Sequence, residues 1–201
     1  MLTARRTRLA LLLLLAALAA AQQPDPDANL VTRGQVNVEG HLYPYIVRHL
    51  PPSSFPDLPA PIAGELTHRG CLIPQTYQAH QPENVIHGSF QAPGSSDWAV
   101  LCSAQGTVSL LVFFAGAPDQ PATLASAPET QRLQSPAASD VLGFNWGIDP
   151  ASPQTVRQAQ TGLQPRPPRL DHDAIADSVI DRKTVYHYFA KGSWSDVDLP
   201  E

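Results

Sequence analysis

The first 21 residues constrain this chain most, because they decide in which compartment it folds. Arg5, Arg6 and Arg8 form a short basic start, and an unbroken apolar run, LALLLLLAALAAA, follows over 9–21. Polar residues begin at Gln22, directly after three alanines that suit a signal peptidase. This pattern predicts a secretory signal peptide over 1–21, cleaved near Ala21. The run is shorter than the roughly 20 apolar residues that cross a bilayer, and we expect no membrane span after cleavage.

Composition limits the classes of partner. Cleavage would leave 180 of the 201 residues, and it would remove three of the 13 basic side chains while keeping all 18 acidic ones. The mature net charge is then about −8, and there is no dense run of Lys or Arg. Nucleic acid and anionic membranes attract proteins through such residues, so we expect neither as a partner. The prediction is a soluble periplasmic or extracellular protein of bacterial type.

Cys71 and Cys102 are the only cysteines. In an oxidising compartment such a pair is typically bonded, and a bridge across this loop is worth about 3–4 kcal/mol on the chain-entropy scale. Two separate buried thiols are the alternative. The pair has no accompanying histidine pair at zinc spacing, and we expect no structural zinc.

The remaining pattern predicts an α+β fold dominated by antiparallel sheet. Residues 22–34 form a polar, proline-containing lead-in, and 35–201 form one domain. Helices are expected over 58–69, ended by Gly70, and after Ser152, which suits an N-cap. Apolar and alternating runs predict strands over the following ranges: 35–50, 85–90, 97–102, 107–114, 122–127, 131–134, 141–148, 184–190 and 194–199.

One stretch, GSFQAPGSSDWAV over 88–100, resembles the loop and strand of FG-GAP/VCBS repeats, which read roughly G-D-F-x-x-D-G-x-x-D-x-A-V. The spacing matches at Gly88, Phe90, Gly94, Asp97, Ala99 and Val100. Ser89, Gln91 and Pro93 stand where those repeats carry carboxylates, so we expect no calcium at this copy. A propeller needs at least about four blades, more than 180 residues supply.

A second stretch resembles the D-x-D-G-x-x-D part of the same repeats. Asp171, Asp173 and Asp177 would supply three carboxylates to a hard cation such as calcium, although Ala174 replaces the turn glycine. The alternative is that these acids are turn, cap and surface residues. The segments GCLIPQ (70–75) and DWAVLC (97–102) also resemble those of uncharacterised secreted bacterial proteins, a likeness that implies no activity.

No catalytic residue is identified. The chain has no G-x-S-x-G, H-E-x-x-H or S-x-x-K arrangement, and His87 near Ser89 is an ordinary strand histidine by pattern. Trp194 and His187, in the C-terminal hairpin, are the candidate ligand-binding residues, with His187 expected at the surface. The favoured function is a non-enzymatic binding or structural module that engages an envelope protein or ligand. The alternatives are an envelope hydrolase and a calcium-stabilised adhesion module.

Overall fold

The computed structural model describes residues 30–198, apart from 116, 118, 137, 138 and 168. The predicted signal peptide (1–21) and residues 22–29 of the predicted lead-in lie outside this part of the chain. The first strand begins at Val31, so the last four residues of the predicted lead-in belong to the sheet.

Strands dominate the described residues, and the two α-helices contain only nine and seven residues. The fold is therefore mainly β, which corrects the α+β prediction: the predicted helices are present but too short to form a layer of their own. None of the helices described is long and apolar enough to cross a membrane. The elements are β1 (Val31–Val38), β2 (His41–Leu50), α1 (Ala60–His68), β3 (Ile73–Gln75), β4 (Val85–Gly88), β5 (Asp97–Ala104), β6 (Thr107–Phe113), β7 (Ala122–Pro128), β8 (Leu133–Gln134), β9 (Leu142–Phe144), β10 (Trp146–Ala151), α2 (Pro153–Ala159), β11 (Ala174–Val179), β12 (Lys183–Ala190) and β13 (Ser193–Asp198).

The strands form three sheets. One has the order β1-β2-β9-β8, with β3 also paired to β2; the second is β4-β5-β6-β7 and the third β10-β11-β12-β13. Every pair is antiparallel except β2 and β9. The second and third sheets follow chain order. Short turns join β5 to β6, β11 to β12 and β12 to β13, whereas the connection between β10 and β11 contains α2. Two of these turns, Gln105-Gly106 and Lys191-Gly192, have positive φ at both residues, as hairpin turns with the twist of the sheet require.

The middle strands of the second sheet, β5 and β6, are buried on both faces, as the apolar run over 110–114 predicts. One face packs on residues from the other two sheets, among them Val47, Phe144, Trp146 and Ile175. The opposite face is covered by α1, through Ile62 and Leu66, and by the two cysteines.

The disulfide between Cys71 and Cys102 is confirmed. It joins the exit of α1 to β5, and the chain reaches it through Gly70, whose φ of +69° allows the sharp turn after the helix. Backbone hydrogen bonds between Leu72 and Ser103 continue the connection. The predicted N-cap is also confirmed, since Ser152 Oγ accepts from Thr155 N at 3.1 Å at the start of α2.

Candidate functional site

The hairpin formed by β1 and β2 carries the exposed apolar side chains of this protein. Among the described residues, the large hydrophobic side chains that are more than a third exposed all lie on it: Val38 (44%), Leu42 (65%), Tyr43 (36%) and Ile46 (44%). We call these four residues the hairpin patch. Scattered exposed apolar residues are normal, but their concentration in one element marks a candidate interaction surface.

The hairpin patch occupies both faces of the hairpin. Val36 pairs with Tyr43 and Val38 with His41, so Val38 and Tyr43 share one face. Leu42 and Ile46 point to the other face, because successive strand residues alternate. Nearer the body, Val47 is buried in the core. The outer half of the hairpin therefore projects with apolar side chains on both sides.

The free edge of β1 is unprotected. All eight of its residues pair with β2 in continuous register, and β1 has no other strand neighbour in the described part of the chain. It contains no proline and one charged residue, Arg33. Edge strands are usually guarded by charges, proline or bulges, because unpaired N–H and C=O groups accept a further strand. This edge is open to strand addition.

The structure places His187, one of the two predicted ligand-binding residues, in the interior, 6% exposed, which corrects the prediction of a surface side chain. Its Nε2 lies 3.1 Å from Asp177 Oδ2 and its Nδ1 2.6 Å from Asp196 Oδ1. Trp146 Nε1 donates to the other oxygen of Asp177 at 2.5 Å. The register of β11, β12 and β13 brings these side chains together, which sequence spacing does not show.

Both ring nitrogens of His187 face a carboxylate, and only the charged imidazolium can donate to both. Burial works against that charge, but the hydrogen bonds to Asp177 and Asp196 outweigh it and raise the pKa of His187 above its usual 6.5. The stabilisation is complete below the unfolded pKa and is lost as pH rises through the folded pKa.

We therefore expect the free energy of unfolding to fall as pH rises above 6.5, the usual histidine value, and through the raised pKa of His187. Urea unfolding across this range measures it, and His187→Gln should flatten the curve. His68→Gln is the matched control, because the side chain of His68 is 85% exposed. An unchanged slope in the His187 variant would contradict the assignment.

The three aspartates predicted to bind calcium are directed to three different partners. Asp171 accepts from His172 Nδ1 at 2.7 Å, Asp173 accepts from Ser89 N at 3.0 Å, and Asp177 contacts Trp146 and His187. In the described ranges, no group of three or more His, Cys, Asp and Glu side chains is arranged to hold a metal. The calcium site and the adhesion module built on it thus receive no geometric support and stay predictions.

The two stretches that resemble FG-GAP repeats contact one another. Ser89 N donates to the carboxylate of Asp173, and Asp173 N donates to Ser89 O, both at 3.0 Å. This reciprocal pair joins the end of β4 to the segment before β11. The two similar stretches therefore lie at a contact between the second and the third sheet.

Trp194, the other predicted ligand-binding residue, is half-buried in an aromatic group. Its ring stacks on Phe114 at 6.0 Å between centroids and meets Phe189 edge-on at 5.4 Å. These side chains pack at the margin of the main core. Aromatic pairs of this geometry stabilise a fold in their own right, so the packing accounts for Trp194 without a ligand.

Ser103, Glu129 and His49 form a buried group that contains the residue types of a hydrolase centre. Ser103 Oγ donates to Glu129 Oε2 at 2.5 Å, and His49 Nε2 lies 2.9 Å from the same oxygen. Burial favours the neutral acid, but the hydrogen bonds from His49 and Ser103 hold the pKa of Glu129 below its usual value, which makes it a weak base. His49 has no hydrogen bond to Ser103, so within this group no nucleophile is paired with a histidine base. The group ties β2 to β5 and gives the hydrolase alternative no support.

Gln75 of the GCLIPQ segment and Asp97 of the DWAVLC segment are buried and hold neighbouring loops through hydrogen bonds. Gln75, 2% exposed, donates to Glu83 O at 3.1 Å and accepts from Glu83 N at 3.0 Å. Asp97 accepts from three donors around β5 and is fully buried. These residues hold loops against the second sheet.

No protein-family model, curated protein or solved structure matches this chain.

Proposed function

We propose that this protein is an exported, non-enzymatic binding module that engages a partner protein through the β1–β2 hairpin. Export rests on the signal-peptide pattern of residues 1–21. The observation that carries the binding function is the concentration of exposed large hydrophobic side chains in the hairpin patch.

The occupant of this surface is an extended strand of the partner. The edge of β1 offers eight residues of regular backbone with a single charged side chain. Main-chain hydrogen bonds to an added strand supply affinity, and side chains on alternate faces supply specificity. Leu42 and Ile46 on one face, and Val38 and Tyr43 on the other, would then be covered by apolar side chains of the partner.

The test uses a photo-cross-linking amino acid in place of Leu42 in cells that export the full chain. The matched control carries the same amino acid in place of Thr123, an exposed residue of β7 in the second sheet. We expect one defined protein to be cross-linked from position 42 and not from position 123. Equal cross-linking from both positions would overturn the proposal.

Ile46→Asp should reduce that cross-link by at least about tenfold, because a charge cannot be buried in an apolar contact. The fold should be retained, with a loss of about 1 kcal/mol in unfolding free energy, since Ile46 is 44% exposed and aspartate is unfavourable in a strand. Thr123→Asp controls for the added charge.

Hydrogen exchange with the purified partner then tests strand addition. Amides over 31–38 should exchange more slowly in the complex, because an added strand pairs with this edge. Unchanged exchange over 31–38 would exclude strand addition. Cross-links to a second copy of this chain alone, with a dimer in light scattering, would exclude a heterologous partner.

A further inference from the structure

Three arginines line one pocket on the side of the molecule that carries α2. The pocket has a volume of about 420 Å³ and lies between one face of α2 and the segment after it, which contributes Arg166, Arg169 and Leu170. Arg157 belongs to the helix, and Arg166 and Arg169 belong to the segment. Arg157 is half-buried, and the other two are exposed.

Neutral groups hold two of these guanidinium groups in place, those of Arg157 and Arg166. Arg157 Nη1 donates to Gln160 Oε1 at 3.2 Å and to Pro167 O at 3.1 Å. Arg166 Nη2 donates to Arg157 O at 2.8 Å, which ties the segment to the helix. Gln160 itself is 1% exposed. The positions of these two charges are therefore fixed by uncharged acceptors.

No carboxylate of the described residues lies within ion-pair distance of these three charges. Among the described residues, the ion pairs within 4.0 Å involve other side chains, and none includes Arg157, Arg166 or Arg169. Desolvation lowers the pKa of Arg157. The positive charges of Arg166 and Arg169 lower it further, because like charges repel. A chain of net charge −5 thus keeps a local concentration of positive charge that an anion would relieve.

We propose that this pocket binds the phosphate group of a small phosphorylated ligand. Guanidinium groups bind phosphate oxygens through paired N–H donors, and three of them more than balance the charge of about −2 on a phosphate monoester. Gln154, Gln158 and Thr161, one helical turn apart on the lining face, offer neutral donors and acceptors to a hydroxylated carbon skeleton. The volume lies within the range of small-molecule sites.

The chemistry is shared by a free phosphorylated metabolite and by the head group of an anionic phospholipid. Titration calorimetry of the full chain with glycerol 3-phosphate, and sedimentation with phosphatidylglycerol vesicles, separate the two sources. Glycerol and phosphatidylcholine vesicles are the uncharged and zwitterionic controls. Binding of glycerol 3-phosphate supports the pocket with a soluble ligand, and binding of the anionic vesicles alone supports it with a lipid source.

The discriminating variant is Arg166→Gln with Arg169→Gln, because both side chains are exposed and their loss should not disturb the core. We expect it to weaken phosphate binding by at least about tenfold. The matched control, Arg69→Gln with Arg182→Gln, makes the same change in net charge at exposed sites outside the pocket and the β1–β2 hairpin. An equal loss in both variants, or no binding of either phosphate source, overturns the proposal. This experiment does not involve the hairpin patch, so its result is independent of the proposed partner.

Discussion

Removing the disulfide between Cys71 and Cys102 is expected to lower the free energy of unfolding by about 3–4 kcal/mol. The bridge spans 31 residues and restricts the unfolded chain by closing this loop. In the folded state it joins two parts of one apolar cluster, the exit of α1 and the centre of β5. Both sulfur atoms are buried, so a reductant should act on the native protein slowly.

Urea unfolding of the oxidised and the reduced protein measures the cross-link alone, since the side chains are unchanged. The variant Cys71→Ala with Cys102→Ala should lose somewhat more stability, because it also leaves cavities against Leu66 and Ile73. Hydrogen exchange should rise first in α1, which relies on the bridge for its attachment to the second sheet. Equal stability of the oxidised and reduced forms would contradict this account of the fold.

Asp97→Asn is expected to cost about 3 kcal/mol, a large effect for the exchange of one oxygen for an NH₂ group. Oδ2 of Asp97 accepts from Gln91 N at 2.8 Å and from Ser95 Oγ, and Oδ1 accepts from Ala115 N at 3.1 Å. The side chain is fully buried. Whichever oxygen the amide nitrogen replaces, a donor then faces a donor in a site that water does not reach.

Thermal and urea unfolding of Asp97→Asn, compared with Asp119→Asn, measures the cost. Asp119 is exposed, and Asp119→Asn changes the net charge by the same amount as Asp97→Asn. The free energy of unfolding of this control should stay within about 0.5 kcal/mol of the parent protein. A small effect at position 97 would mean that the loop over 91–96 is held by other contacts.

Much of the local structure was predictable because it depends on neighbours in sequence. The apolar run over 110–114 indicates a strand buried on both faces, and Ser152 indicates a helix start, since both patterns report short-range requirements. Strand bounds were less accurate around Asn145. The predicted strand over 141–148 is divided there into β9 and β10, which belong to different sheets. Which sheet a strand joins depends on distant partners.

The candidate sites were less predictable for the same reason. The apolar residues of β1 and β2 read as ordinary strand residues, and their pattern does not show that the outer half of the hairpin lies beyond the core. His187 alternates with Tyr186 and Tyr188, which indicates a strand but leaves open which face is buried. Arg157 and Arg166 are nine residues apart, and only the turn after α2 brings them to one pocket.

By itself, the sequence determined the predominance of antiparallel strands, the two helix positions and the pair of cysteines available for bonding, because each follows from periodicity, capping or composition. The tertiary structure alone decided that His187 is enclosed by two aspartates. It alone decided, too, that within the described part of the chain the hairpin patch stays uncovered and three arginines converge with no carboxylate in ion-pair contact. The physical reason is that burial and charge pairing depend on contacts between residues far apart in the chain, and these exist only once the three sheets have packed.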